Sequence, residues 1–163
     1  MPRLFTKKGF EKIQAEIDYL WMEERPMVVE EVYEAAQLGD RSENAAYIYG
    51  KQRLRMIDKR LRNLKSKIKD ITIVDTDSLP QSSIVQFGAL VTIENEEEEQ
   101  KTLRLVDREE IDPDQNKVSI QSPIGRALLG KEEGDSFELV LPKQTVEYEI
   151  ISVYYGPDLE DAT

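Results

Sequence analysis

Two long stretches of this chain repeat their apolar residues at alternating spacings of three and four, and a short polar break joins them. Phe10, Ile13, Ile17 and Leu20 make one seam; Tyr47, Gly50, Leu54, Ile57, Leu61, Leu64, Ile68 and Ile71 make the other. Such spacing keeps each set on one helix face, the face that a second helix covers. A short connection makes two such helices antiparallel neighbours. The pattern therefore predicts a two-helix coiled-coil hairpin whose tip is Leu38-Gly39-Asp40-Arg41-Ser42-Glu43-Asn44-Ala45. That bend carries two carboxylates, Asp40 and Glu43.

The first helix is expected over about residues 7 to 36, with Thr6 as its N-cap. Its 30 residues span ~45 Å. The seam loses its heptad between Trp21 and Met27, where Glu24 takes a seam position and Pro26 removes a backbone donor; it resumes at Val28, Val32 and Ala35. A bend or a local change of supercoil is expected there, within one helix. The second helix is expected over about Asn44 to Ile71, with Leu38 and Tyr47 backing the tip.

After Ile71 the texture changes. A polar stretch, Asp75 to Ser83, precedes segments of period two: Phe87 to Glu94, Thr102 to Asp107, Lys117 to Gln121, Ser136 to Leu141 and Val146 to Tyr155. A short helix over Pro123 to Leu129 is stopped by Gly130. The expectation is an α+β chain: hairpin 1–75 with its tip at 38–45, linker 76–83, and a β-rich domain 84–163.

The composition excludes much chemistry. With no cysteine and no histidine there is no disulfide framework, no thiolate site, and neither the commonest metal ligand nor the usual near-neutral base. No apolar run is long enough to span a bilayer and no secretory leader is evident, so a cytoplasmic protein is expected. The net charge of −11 hides an asymmetry: residues 1–72 hold 15 Lys/Arg against 12 Asp/Glu, and residues 73–163 hold 7 against 21. Contact with nucleic acid, if any, belongs to the first segment.

Within that segment most charges suit pairing across the hairpin, since Glu23, Glu24, Glu30, Glu31 and Glu34 face a helix rich in Lys and Arg. Lys51, Arg53 and Arg55, the cations nearest the tip, are left over and suit a phosphate backbone. At the tip itself Asp40-Arg41-Ser42-Glu43 fits a capping box, an alternative to any metal role. Two carboxylates make a poor Mg²⁺ cage alone, so a metal role requires another molecule's ligands. Glu96 to Glu99 reads as a solvated turn; it lacks the alternating spacing and central glycine of a calcium loop.

The layout resembles the bacterial Gre transcript-cleavage factors, the GreB-like members most. The resemblance rests on Trp21-Met22-Glu23-Glu24-Arg25-Pro26, the tip motif, Arg53-Leu54-Arg55, Ile57-Asp58-Lys59-Arg60, the stretch Ser119 to Leu129, and Gly134-Asp135. It implies an FKBP-like C-terminal domain that docks on bacterial RNA polymerase and a coiled coil that enters the secondary channel. Asp40 and Glu43 would share a Mg²⁺ with the polymerase during hydrolysis of backtracked nascent RNA, with no cofactor in the free protein. The factor would then be no enzyme by itself but an activator of the polymerase's own nuclease, and a monomer. Asp40 would be the more direct ligand; Arg41, Ser42 and Asn44 would support the tip. By the same matching, Lys51, Arg53 and Arg55 correspond to the basic patch that meets the RNA 3′ segment, and Ser122 and Pro123 to the docking loop.

The chain departs from the family pattern in three places. Gly50 and Gln52 interrupt the basic patch, Ala46 stands where an acid is common, and Gln121 stands where GreB-like members usually carry Asp. Two other functions are open to this architecture: a Gre-fold inhibitor that occupies the same channel, and a prolyl isomerase with a helical arm. Zinc-bearing channel regulators need cysteines that this chain lacks.

Overall fold

The computed structural model describes residues 3–39 and 43–158. Its elements in chain order are β1 (Arg3–Thr6), α1 (Lys7–Tyr19), a π-helical turn (Leu20–Glu24), α2 (Arg25–Ala36), α3 (Ala45–Lys67), β2 (Ile71–Val74), β3 (Leu90–Asn95), β4 (Gln100–Val106), β5 (Lys117–Ser119), α4 (Pro123–Leu128), β6 (Ser136–Val140) and β7 (Thr145–Tyr154). The α+β class is as the sequence predicts. The contacts divide the chain into two units: residues 10–70, and the remainder on both sides.

The helical unit is the hairpin. The seam residues from Phe10 to Leu20 and from Tyr47 to Ile68 are at least half-buried, and Ile17, Leu20, Val28, Ile57, Leu61 and Leu64 form its core. The second helix ends at Lys67, so Ile71, expected to close its seam, instead begins β2. Between Leu20 and Val28 the buried positions are eight residues apart, one more than a heptad allows. The π turn absorbs that residue: the Arg25 N–H reaches back five positions to the Leu20 carbonyl. Pro26 follows at the start of α2, where its missing N–H leaves the Met22 carbonyl without an α-helical donor, so the wide turn lies where the proline tolerates it. The expected break is thus a π turn within one continuous helical path.

Near the tip the two helices approach closely, and a residue without a side chain makes this possible. A Cβ on Gly50 would come within 2.5 Å of Val32 Cγ2. Gly50, which interrupts the basic patch, is therefore a packing position.

The second unit is built on a five-stranded sheet of order β5-β4-β3-β7-β6, parallel only between β4 and β5. The β-rich C-terminal domain is as expected, and the observed strands lie within a few residues of the expected ones. Val91 and Ile93 of β3, Leu103 and Leu105 of β4, Phe137 and Leu139 of β6 and Ile150 of β7 point into one core with Leu128 of α4. Alternation along β6 and β7 leaves Glu138, Glu147 and Glu149 on the outer face.

One strand pair was not expected. β1 pairs with β2 in parallel, Arg3 opposite Ile71 and Thr6 opposite Val74. The chain's first residues and those just after α3 therefore belong with the sheet unit, so the units divide at residues 9/10 and 70/71, where the sequence suggested a hairpin through residue 75. The polar stretch 76–83 is not an extended linker throughout: Thr76–Ser78 form a 3₁₀ turn capped by Asp75, and Thr76 is buried.

The start of α1 is clamped within this unit. The Gly9 N–H donates to Thr6 Oγ1 at 3.0 Å, and the Thr6 hydroxyl and N–H donate in turn to the carboxylate of Glu110. Burial pushes the Glu110 carboxyl above the usual glutamate range, against the pull of those hydrogen bonds. Beside it Asp107 pairs with Arg3 at 3.2 Å. Asp107 and Glu110, in the turn after β4, thus anchor the chain's first residues.

Candidate functional site

The tip is built from the ends of α2 and α3. α2 closes with the Leu38 N–H on the Ala35 carbonyl at 3.1 Å, and Gly39 then takes φ +132°, a conformation that side chains resist. Asp40, Arg41 and Ser42 lie outside the described residues. Glu43 follows in the bend and is exposed.

The cap of α3 is Asn44, not the predicted Asp40. Its side-chain oxygen accepts the Tyr47 N–H at 3.1 Å, and its backbone is extended, as an N-cap requires. The same side chain donates from Nδ2 to the Ala35 carbonyl at 2.6 Å. One amide thus ties the exit of α2 to the entry of α3. Leu38, expected to back the tip, is instead 80% exposed; that support comes from Asn44 and the close packing at Gly50.

Behind the tip the cations sort onto two flanks of α3. Arg53 donates to Glu31 at 3.0 Å and lies 5.8 Å from the centre of the Tyr49 ring. Arg60, on the same flank, holds Glu16 through two hydrogen bonds of 2.6 and 2.9 Å, which keep that carboxyl below the usual glutamate range. Arg53 therefore belongs to the paired set, because Glu31 on α2 stands within its reach. Lys51 and Arg55 are exposed, and among the described residues neither lies within 4 Å of a carboxylate. Arg25 pairs with Asp58 at 2.8 Å, which lowers the Asp58 carboxyl and raises the guanidinium.

In the sheet unit Ser122 and Pro123 begin α4. The Ser122 hydroxyl accepts the Gly125 N–H at 3.1 Å and donates to the Ser119 carbonyl at 2.6 Å. That hydroxyl is committed to the cap, so Pro123 and Gln121, both exposed, are the side chains that this turn offers to a partner.

Among the described residues no three carboxylates converge on a point suited to a metal ion. Glu43 stands exposed at the bend. No helix among the described residues is long and apolar enough to cross a membrane.

Two family descriptions match the chain. "Transcription elongation factor, N-terminal" covers residues 3–73, and "Transcription elongation factor, GreA/GreB, C-term" covers residues 80–155. The transcription elongation factor GreB of Yersinia pestis is 46% identical over 156 residues, 96% of this chain and 91% of that one. The GreB of Vibrio cholerae is 46% identical over 154 residues, 94% and 95% of the two chains. That of Haemophilus influenzae is 44% identical over 150 residues, 92% and 94%.

Proposed function

The chain belongs to the GreA/GreB family of transcription elongation factors, and from that premise we propose that it enters the secondary channel of bacterial RNA polymerase and stimulates cleavage of backtracked nascent RNA. The observation that carries this reading is the tip: Glu43 is exposed at the bend of a long hairpin, beside an asparagine that ties both helices. A resident catalytic acid would be partly buried and poised by neighbours; an exposed one suits a site completed elsewhere.

In this mechanism Asp40 and Glu43 would serve as ligands, with groups of the polymerase, for a shared Mg²⁺. When bound, that ion supplies electrostatic stabilisation at the scissile phosphate. The protein's own residues do the placing. The seam packs the two helices together, Asn44 and Gly50 hold them at the bend, and Lys51 and Arg55 offer positive charge to a phosphate backbone. Pro123 and Gln121 supply the docking contact on the sheet unit. By itself the protein is no nuclease, because two carboxylates without a third ligand or a base do not complete a hydrolytic site.

The test uses a defined backtracked elongation complex. Asp40→Asn with Glu43→Gln is expected to abolish stimulated cleavage while polymerase binding and thermal stability stay unchanged, because an exposed bend contributes little to the core. Retained cleavage would remove the metal role. If the unaltered protein slowed runoff transcription and released no short RNA, the channel-inhibitor function would replace it.

A further inference from the structure

The π turn presents the chain's only tryptophan, Trp21, 55% exposed. So large an apolar ring on a coiled coil of this length is not explained by the seam, which passes through Leu20 instead. Its surroundings are cationic. The Arg25 guanidinium carbon lies 5.5 Å from the ring centre, and the Lys65 ammonium 5.7 Å. These two cations differ in one respect. Arg25 is fixed by Asp58 at 2.8 Å, whereas Lys65 has no carboxylate within 4 Å among the described residues. One backs the ring; the other, a flexible point charge, is free to leave it.

A line of like residues leads there. Lys51, Arg55, Arg62 and Lys65 are separated by four, seven and three residues, which keeps them on one helix face. From Lys51 to Lys65 that face runs ~21 Å. The opposite flank is closed to a polyanion, because Arg53 and Arg60 are neutralised by Glu31 and Glu16. Asp58, on the same face, pairs with Arg25 and also attracts Arg62, while Lys51, Arg55 and Lys65 have no carboxylate within 4 Å among the described residues. Net positive charge thus starts near the tip and ends at an exposed aromatic ring, the pattern by which proteins hold single-stranded nucleic acid through phosphates and stacked bases.

Resting on the reading that the hairpin works beside extruded RNA, we propose that Trp21, backed by Arg25 and reached along Lys51, Arg55, Arg62 and Lys65, is a base-stacking platform for single-stranded RNA. Lys65 exchanges the ring for a phosphate, and a base takes its place. An apolar contact with a protein wall would not need a line of cations leading to the ring.

Because Trp21 is the only tryptophan, its fluorescence reports on the site in the intact free protein. Titration with octaadenylate RNA at ~50 mM salt is expected to quench it saturably. With four phosphates neutralised on a single strand, affinity is expected to fall roughly 50-fold between 50 and 200 mM salt. Trp21→Ala is expected to weaken binding of labelled octaadenylate about 5- to 100-fold, and Trp21→Phe by less, with helix content by circular dichroism unchanged in both. Arg55→Glu with Arg62→Glu should weaken it further while sparing the hairpin. Absence of quenching, equal quenching by inorganic polyphosphate, or unaltered RNA affinity of Trp21→Ala would overturn the proposal. So would a loss of polymerase affinity in the absence of RNA as the sole effect of Trp21→Ala, which would mark a protein contact instead. The Asp40→Asn, Glu43→Gln protein should give the unaltered titration, so this site and the cleavage role can fail separately.

Discussion

Asn44 shows how much one side chain settles at the bend. As an N-cap it satisfies one of the four unpaired amides that begin α3; as a donor to the Ala35 carbonyl it also sets the gap between the helices. These two uses can be separated. Asn44→Ser keeps a capping oxygen but is too short to reach Ala35, whereas Asn44→Ala removes both. Thermal unfolding followed by Trp21 fluorescence should show a loss of about 1 kcal/mol for the alanine protein and much less for the serine protein. Stimulated cleavage should fall in both, if the link positions the acids. Equal stability losses would mean that the link, not the cap, supports the hairpin. None of this could be read from the tip motif. Asp40 and Glu43 satisfy the spacing of a capping box, and local spacing cannot distinguish that cap from one four residues on, whose second partner lies nine residues back on the other helix. Similarly no local spacing pairs Arg53, because its partner Glu31 lies 22 residues away on the facing helix. What the sequence did reveal at this scale was residue type: both tip acids and the exposed cations Lys51 and Arg55 were singled out by charge and position alone.

The hairpin's one irregularity is an element-scale matter. Alternating spacings of three and four made both seams legible, since burial follows that pattern for any packed helix pair. The interruption was legible too, at Trp21 to Met27, but its form was not: a bend, a supercoil change and a π turn all begin from an extra residue. The structure resolves it as an insertion, with buried Leu20 and Val28 eight residues apart. Deleting exposed Glu23 should therefore restore a heptad and let α1 run into α2 as one α-helix. Stability of the hairpin is expected to rise by a few °C, about what 1 kcal/mol gives a domain this small, and the amides of residues 19–27 should exchange more slowly. A deletion at Glu30, inside regular α2, should instead rotate Val32 and Ala35 off the seam and unfold the hairpin. If both deletions were equally damaging, the π turn would be part of the packing and not an accommodated insertion. Pro26→Ala, by contrast, should leave the turn in place, because the register and not the ring demands it.

For the whole molecule, the contacts divide the units a few residues away from the expected boundary for a reason of chain topology. β1 is four residues long and its partner lies 68 positions away, Arg3 against Ile71, so no local period betrays it. The charge division, by contrast, was legible, and the structure gives it physical content. The outer face of the sheet sets Glu94 directly across from Glu149, and Glu138 across from Glu147, like-charge neighbours that cost about 0.2–1 kcal/mol each. The hairpin does the reverse: Glu16 with Arg60, Glu31 with Arg53 and Asp58 with Arg25 are attractive pairs, largely solvated and of about that same small size. Salt screens both kinds. Raising ionic strength from about 0.1 to 1 M shortens the Debye length from ~10 to ~3 Å, so the sheet unit should gain stability by losing repulsion while the hairpin loses attraction. Trp21 fluorescence follows the hairpin alone, and amide exchange in β3 and β7 follows the sheet. The expected result is a fall of a few °C in the first and slower exchange in the second. A change of the same sign in both would mean that the acidic face is already neutralised, and the charge asymmetry would then not act on stability at all.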